Sequence, residues 1–131
     1  MEIYIALLRG INVSGQKKIL MKDLKKFLAE LNYQELQTYI QSGNIIFKTK
    51  IINKEELEKQ IQDKIFEKYG FQVPVIIRTY KELESIIEKN PFKLEKNLNI
   101  DKLYLAFLAK IPEENNINKI NPDNYEPDKF N

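Results

Sequence analysis

The chain has 131 residues, 43% hydrophobic and 31% charged, with a formal net charge of +2, the profile of one ordinary soluble domain or a small domain with part of a second. It contains no cysteine and no histidine, which excludes disulfides, thiolate and Ser-His-Asp chemistry and Cys/His zinc sites, and leaves a carboxylate, lysine or tyrosine as any general base. No signal peptide or apolar run long enough to span a bilayer is present, so a cytoplasmic protein is expected.

Residues 3–8 form a near-continuous apolar run, the signature of a central, covered strand. A long polar loop follows over residues 10–19. Leu20, Leu24, Phe27, Leu28 and Leu31 then recur at helical spacing. Residues 36–40 and 45–48 read as two strands joined by the turn Gln41-Ser42-Gly43-Asn44, a hairpin. Asn53 stands three residues before Glu56, a capping-box pattern with Asn at the cap. It opens a helix whose stripe is Leu57, Ile61, Ile65 and Tyr69 and whose stop is Gly70. Residues 71–78 form a fourth strand, and Pro74 consigns it to a sheet edge because proline has no N–H for a ladder.

The order β-α-β-β-α-β is the split βαβ arrangement. Right-handed crossovers give an antiparallel sheet of order 4-1-3-2. The expected fold is therefore a ferredoxin-like α+β sandwich over residues 1–78. Residues 79–131 read as an incomplete second α+β subdomain. It opens with a Thr79/Glu82 capping box and a short helix carrying Leu83, Ile86 and Ile87, ended by Asn90-Pro91. A strand at 102–109, a poor helix at 112–120 and an Asn/Asp/Pro-rich tail complete it.

Two polar stretches stand out, "LLRGINVSG" (residues 7–15) and "TYIQSGN" (residues 38–44). In a 4-1-3-2 sheet the end of strand one and the hairpin turn lie at the same rim. That rim offers the guanidinium fork of Arg9, suited to phosphate or carboxylate, and the ammonium of Lys17. Asn12, Ser14, Gln41, Ser42 and Asn44 add hydrogen-bonding groups. Neither motif holds a carboxylate, so no catalytic residue and no metal ligand is assigned, and no cofactor follows. The loop is neither a Walker loop nor a dinucleotide fingerprint. Residues 1–50 carry eight Lys/Arg against four Asp/Glu, a mild bias toward an anionic partner. The favoured reading is a binding site for a small anionic or nucleotide-like ligand. The alternative is an interaction module or homodimer built on an exposed sheet edge. RNA binding is disfavoured, because strands one and three carry only Tyr4 and Phe47 where an RNP-type sheet needs more aromatics. Tyr33, Tyr39, Tyr69 and Tyr104 read as core or sheet-face residues.

"YIALLRGINV" at residues 4–13, "MKDLKKFL" at 21–28 and "TYIQSGNIIF" at 38–47, in this order and spacing, resemble the bacterial domain-of-unknown-function family 1697. The resemblance implies an α+β protein with two ferredoxin-like subdomains and no established activity. It also implies two glycines after "INV", where this chain has Ser14-Gly15. Members continue to a Thr-Arg-Asn-Trp segment, so this chain, ending at Asn131 without tryptophan, reads as cut short.

Overall fold

Strand β1 (Glu2–Leu8) alternates strictly: Tyr4, Ala6 and Leu8 are buried, while Ile3, Ile5 and Leu7 are half-buried on the opposite face. Period-two alternation of this kind gives a sheet one covered face. The computed structural model describes residues 1–39, 43–51, 53–92, 105, 107, 108 and 116. Four antiparallel strands, β1, β2 (Gln34–Tyr39), β3 (Asn44–Thr49) and β4 (Val75–Thr79), pair in the order β2-β3-β1-β4. This is the 4-1-3-2 order expected from the sequence, in a mixed α+β fold. As expected, β1 is interior and β4 is an edge strand. The fourth strand is shorter than its expected span of 71–78, because Pro74 sits outside it. The Pro74 carbonyl nevertheless accepts the Arg9 N–H at 3.0 Å, the group that proline does retain.

Helices α1 (Met21–Leu28) and α2 (Lys54–Tyr69) cover one face. Leu24, Phe27 and Leu28 from α1 and Leu57, Ile61 and Ile65 from α2 meet Tyr4, Ala6, Leu8, Ile45, Phe47, Val75 and Ile77 from the strands in a single core. Leu20, expected on the α1 stripe, precedes the helix as its N-cap and is 66% exposed. Its place in the core goes to Ile19. Asn53 caps α2 as expected, its Oδ1 accepting the N–H groups of Glu55 and Glu56 at 2.9 and 3.2 Å. Gly70 ends the helix, its N–H on the Phe66 carbonyl.

The chain divides into two compact units, Met1–Glu88 and Lys89–Asn131. Helix α3 (Tyr80–Glu88) packs against β1 and β4, so the first unit reaches past residue 78 to take it in. The reason is local: β4 runs into α3 through a reciprocal capping box. Thr79 N–H donates to Glu82 Oε2 at 2.7 Å and Glu82 N–H donates to Thr79 Oγ1 at 3.0 Å. In the second unit, the Asn90 side chain accepts the Phe92 N–H at 3.0 Å. The strand expected at 102–109, the helix at 112–120, the tail and Tyr104 lie mostly or wholly outside the described residues.

Lys54, at the start of α2, adds an ion pair to Glu82. Burial by itself pushes the Glu82 carboxyl up, but Lys54 and the Thr79 groups outweigh it and hold the pKa below the usual carboxylate value. A lowered folded-state pKa contributes stability above the unfolded-state pKa and loses it as pH falls through the folded one. Glu82→Gln keeps an acceptor for the Thr79 N–H and removes the charge. The variant should be less stable than the parent at pH 7, by about 1 kcal/mol or less given solvent screening. The gap should close as pH falls below about 4. Urea midpoints at pH 7 and pH 3 read this; an equal gap at both would show that the Glu82 charge contributes nothing.

Candidate functional site

The first-unit sheet brings three chain segments to one rim. Leu8 N–H donates to Gly43 O at 2.8 Å, and Arg9 N–H to Pro74 O at 3.0 Å. The end of β1 is thus held between the hairpin turn and the lead-in to β4. Lys17 Nζ donates to Gln72 O at 2.9 Å, tying the loop after β1 to the same lead-in. Of the seven residues singled out from sequence, Arg9, Asn12, Ser14, Lys17 and Asn44 fall on this rim or its loop. Gln41 and Ser42 lie outside the described residues.

The loop is more ordered than its composition suggests. Asn12 N–H donates to Lys17 O at 3.1 Å, Gln16 N–H to Val13 O at 2.9 Å, and Val13 and Gln16 form an isolated bridge. Ser14 and Gly15 sit between them at φ 52° and 73°, the paired positive φ of a tight hairpin turn. Ser14 therefore meets a backbone demand. Asn12, at φ 55°, spends its side chain internally: Nδ2 donates to Ile19 O at 2.9 Å and Oδ1 accepts Ile19 N–H at 2.8 Å. That two-pronged brace closes the loop at its base and lets Ile11 and Ile19, 2% and 1% exposed, enter the core. Neither isoleucine was legible as core within a polar loop; their apolar character at the loop's two ends was the available signal.

The other donors are sorted in the same way. Lys17 is a tether. Asn44 Nδ2 donates to Tyr39 O at 3.1 Å, across the β2–β3 pair in which these residues stand opposite each other. Arg9 is different. It is exposed, and its side chain makes no hydrogen bond or ion pair among the described residues. The rim stretches 7–19, 43–44 and 70–74 hold three Lys/Arg and no Asp or Glu. A local excess of positive charge favours anions there.

The aromatics are partitioned by face. Tyr4, Phe47 and Tyr33 stack in a row on the covered side, with centroid separations of 5.9 Å for Tyr4–Phe47 and 4.3 Å for Tyr33–Phe47. Tyr33 also donates to Gln60 Oε1 at 2.8 Å, and burial, with Glu56 second, pushes its pKa up to about 12. Tyr69 packs between Phe27 and Phe71. Tyr39 alone of these lies on the opposite face of the sheet, 66% exposed. Among the described residues no group of three or more Cys, His, Asp or Glu side chains is placed to hold a metal. No helix among them is long and apolar enough to cross a membrane.

The family model described as "Protein of unknown function (DUF1697)" matches residues 1–131. Among solved structures, the conserved bacterial protein SP0830 from Streptococcus pneumoniae is similar, with a TM-score of 0.61 and 31% identity over 74% of this chain and 53% of that one. The chain thus spans about half the length of that structure. A search of the curated proteins found no match.

Proposed function

We infer, for a chain that belongs to the DUF1697 family of proteins of unknown function, a binding function: it takes a small anionic ligand at the rim where β1 ends. The observation that carries this reading is Arg9. Its guanidinium is exposed and has no partner among the described residues, beside segments free of carboxylates. The fork of an unpaired arginine matches phosphate or carboxylate bidentately. On this reading the protein works in the cytoplasm, where phosphorylated and carboxylated metabolites are abundant, and its sandwich is ferredoxin-like.

The alternative, pairing through a sheet edge, has less support. At β4, Ile77 N–H donates to Glu58 Oε1 at 3.1 Å, and Arg78 Nη1 donates to Ile77 O at 2.8 Å. Both outward backbone groups of Ile77, at the middle of that edge, are thus occupied. At β2, one extra residue between Gln34 and Gln37 bulges the strand, which also blunts an edge.

Titration of phosphate and sulfate against the parent, Arg9→Ala and Arg9→Lys tests the proposal. Arg9→Ala should weaken binding by about tenfold or more, the worth of a charged hydrogen bond. Arg9→Lys should lose part of it, because the charge stays and the fork goes. Melting temperature should not move, since the Arg9 side chain has no partner among the described residues to lose. Unchanged affinity in Arg9→Ala, or no binding by the parent at millimolar anion, would refute the site.

A further inference from the structure

Tyr39 faces the same surface as Arg9. In the sheet, Tyr39 stands opposite Asn44, Asn44 opposite Leu7, and Leu7 opposite Ile76. Directly paired residues share a face, and Leu7 lies opposite the buried face of β1. This row therefore lies on the sheet face turned away from the buried face of β1, at the rim end. Arg9 follows Leu7 by two residues, and its N–H continues the bonding to the β4 side, so alternation puts it on that face too.

Both side chains lack partners among the described residues. Tyr39 makes no ring contact and no side-chain hydrogen bond there. Tyr4, Tyr33 and Tyr69, by contrast, each pack against another ring. Tyr39 is also held in place: Asn44 Nδ2 fixes its carbonyl at 3.1 Å, so the ring projects from a backbone that is pinned across the hairpin. Beneath the row lies Ile46, 36% exposed, which gives the face an apolar floor. Two strand spacings, about 10 Å, separate the Tyr39 and Leu7 backbones. Two long side chains rising from the ends of that span match the scale of a nucleotide, with a planar ring against the tyrosine and a phosphate against the guanidinium.

We propose that the ligand is a nucleotide, its phosphate on Arg9 and its base stacked on Tyr39. The proposal rests on the anion site inferred above and deepens it. An inorganic anion would use only the Arg9 end, whereas a nucleotide engages both groups at once. Stacking is tolerant of base identity because every base has a π-face. The site should thus prefer the larger purine by stacking area, with no hydrogen-bonded selection among bases.

The test compares inorganic phosphate, adenosine and adenosine 5′-monophosphate by calorimetric titration of the parent, Tyr39→Ala, Tyr39→Phe and Arg9→Ala. The monophosphate should bind the parent about tenfold more tightly than phosphate. Tyr39→Ala should erase that advantage and leave phosphate affinity as it was, while Tyr39→Phe should keep it. Melting temperatures of the Tyr39 variants should match the parent, since the ring is exposed and has no ring partner. If monophosphate and phosphate bind the parent equally, the nucleotide inference fails and the anion site survives. The nucleotide inference fails in the same way if Tyr39→Ala leaves the monophosphate's advantage intact. If neither ligand binds, the anion site fails and the nucleotide goes with it.

Discussion

Phe47→Ala should destabilise the first unit by about 3–5 kcal/mol, the usual cost of truncating a buried aromatic. Phe47 is fully buried, stands opposite Tyr4 in the β1–β3 ladder, and lies between Tyr4 and Tyr33 in the stacked row. Removing it takes away the middle ring and leaves a cavity that two strands and α2 cannot close without moving. Against a typical total stability of about 5–15 kcal/mol, the loss is large, and a melting temperature lower by more than about 10 °C is expected. Phe47→Leu, closer in volume, should keep most of the stability. A second readout is specific to the stack. The Tyr33 phenol is pushed up to about 12 chiefly by burial, so admitting water beside it should bring its titration down toward the ordinary tyrosine range. Spectrophotometric titration of folded Phe47→Ala would show this. A loss under about 1 kcal/mol with the Tyr33 titration unmoved would contradict the packing described.

Gly43→Ala should have a comparable effect for a different reason. A Cβ on Gly43 would stand 2.7 Å from Ile11 Cδ1 and 2.8 Å from Leu8 Cβ, at a φ of +92°. The isoleucine terminus can swing away, but Leu8 Cβ moves only with β1 itself. Backbone strain of about 1–2 kcal/mol and overpacking of about 1–3 kcal/mol act together. Gly10→Ala separates the two: Gly10 also has a positive φ, 74°, but nothing lies within 4 Å of its added Cβ. It should show the backbone part alone. Urea unfolding of both variants measures the difference, and equal losses would mean that close approach at Gly43 contributes nothing. Since Gly43 O is the acceptor for Leu8 N–H, Gly43→Ala should also spread the hairpin turn from the end of β1 and weaken anion binding at the rim.

Local patterns in the sequence were enough for the skeleton of this fold. The apolar run over residues 3–8 marks β1, the Asn53 cap and the Leu57/Ile61/Ile65 stripe mark α2, and the Thr79/Glu82 box marks the start of α3. Pro74 put β4 at an edge, and the handedness of crossovers turned the element order into the observed sheet. The convergence of the β1 end and the hairpin turn followed from that order. These inferences succeed because backbone periodicity and capping involve residues a few positions apart.

What each rim side chain does was decided only by tertiary contacts. Lys17 finds its acceptor at Gln72, 55 residues away. Asn12 braces Ile19, and two loop isoleucines become core. The face of Tyr39 depends on a single extra residue: plain alternation from buried Tyr33 would turn Tyr39 inward with it. The bulge between Gln34 and Gln37, with Glu35 at φ 51°, lets Tyr33 and Leu36 both face the core and turns Tyr39 out. A one-residue change of register reverses every following side chain. Such a bulge forms only because both apolar residues must reach the same core, a demand that exists once the sheet and helices are packed and has no local signature in the chain.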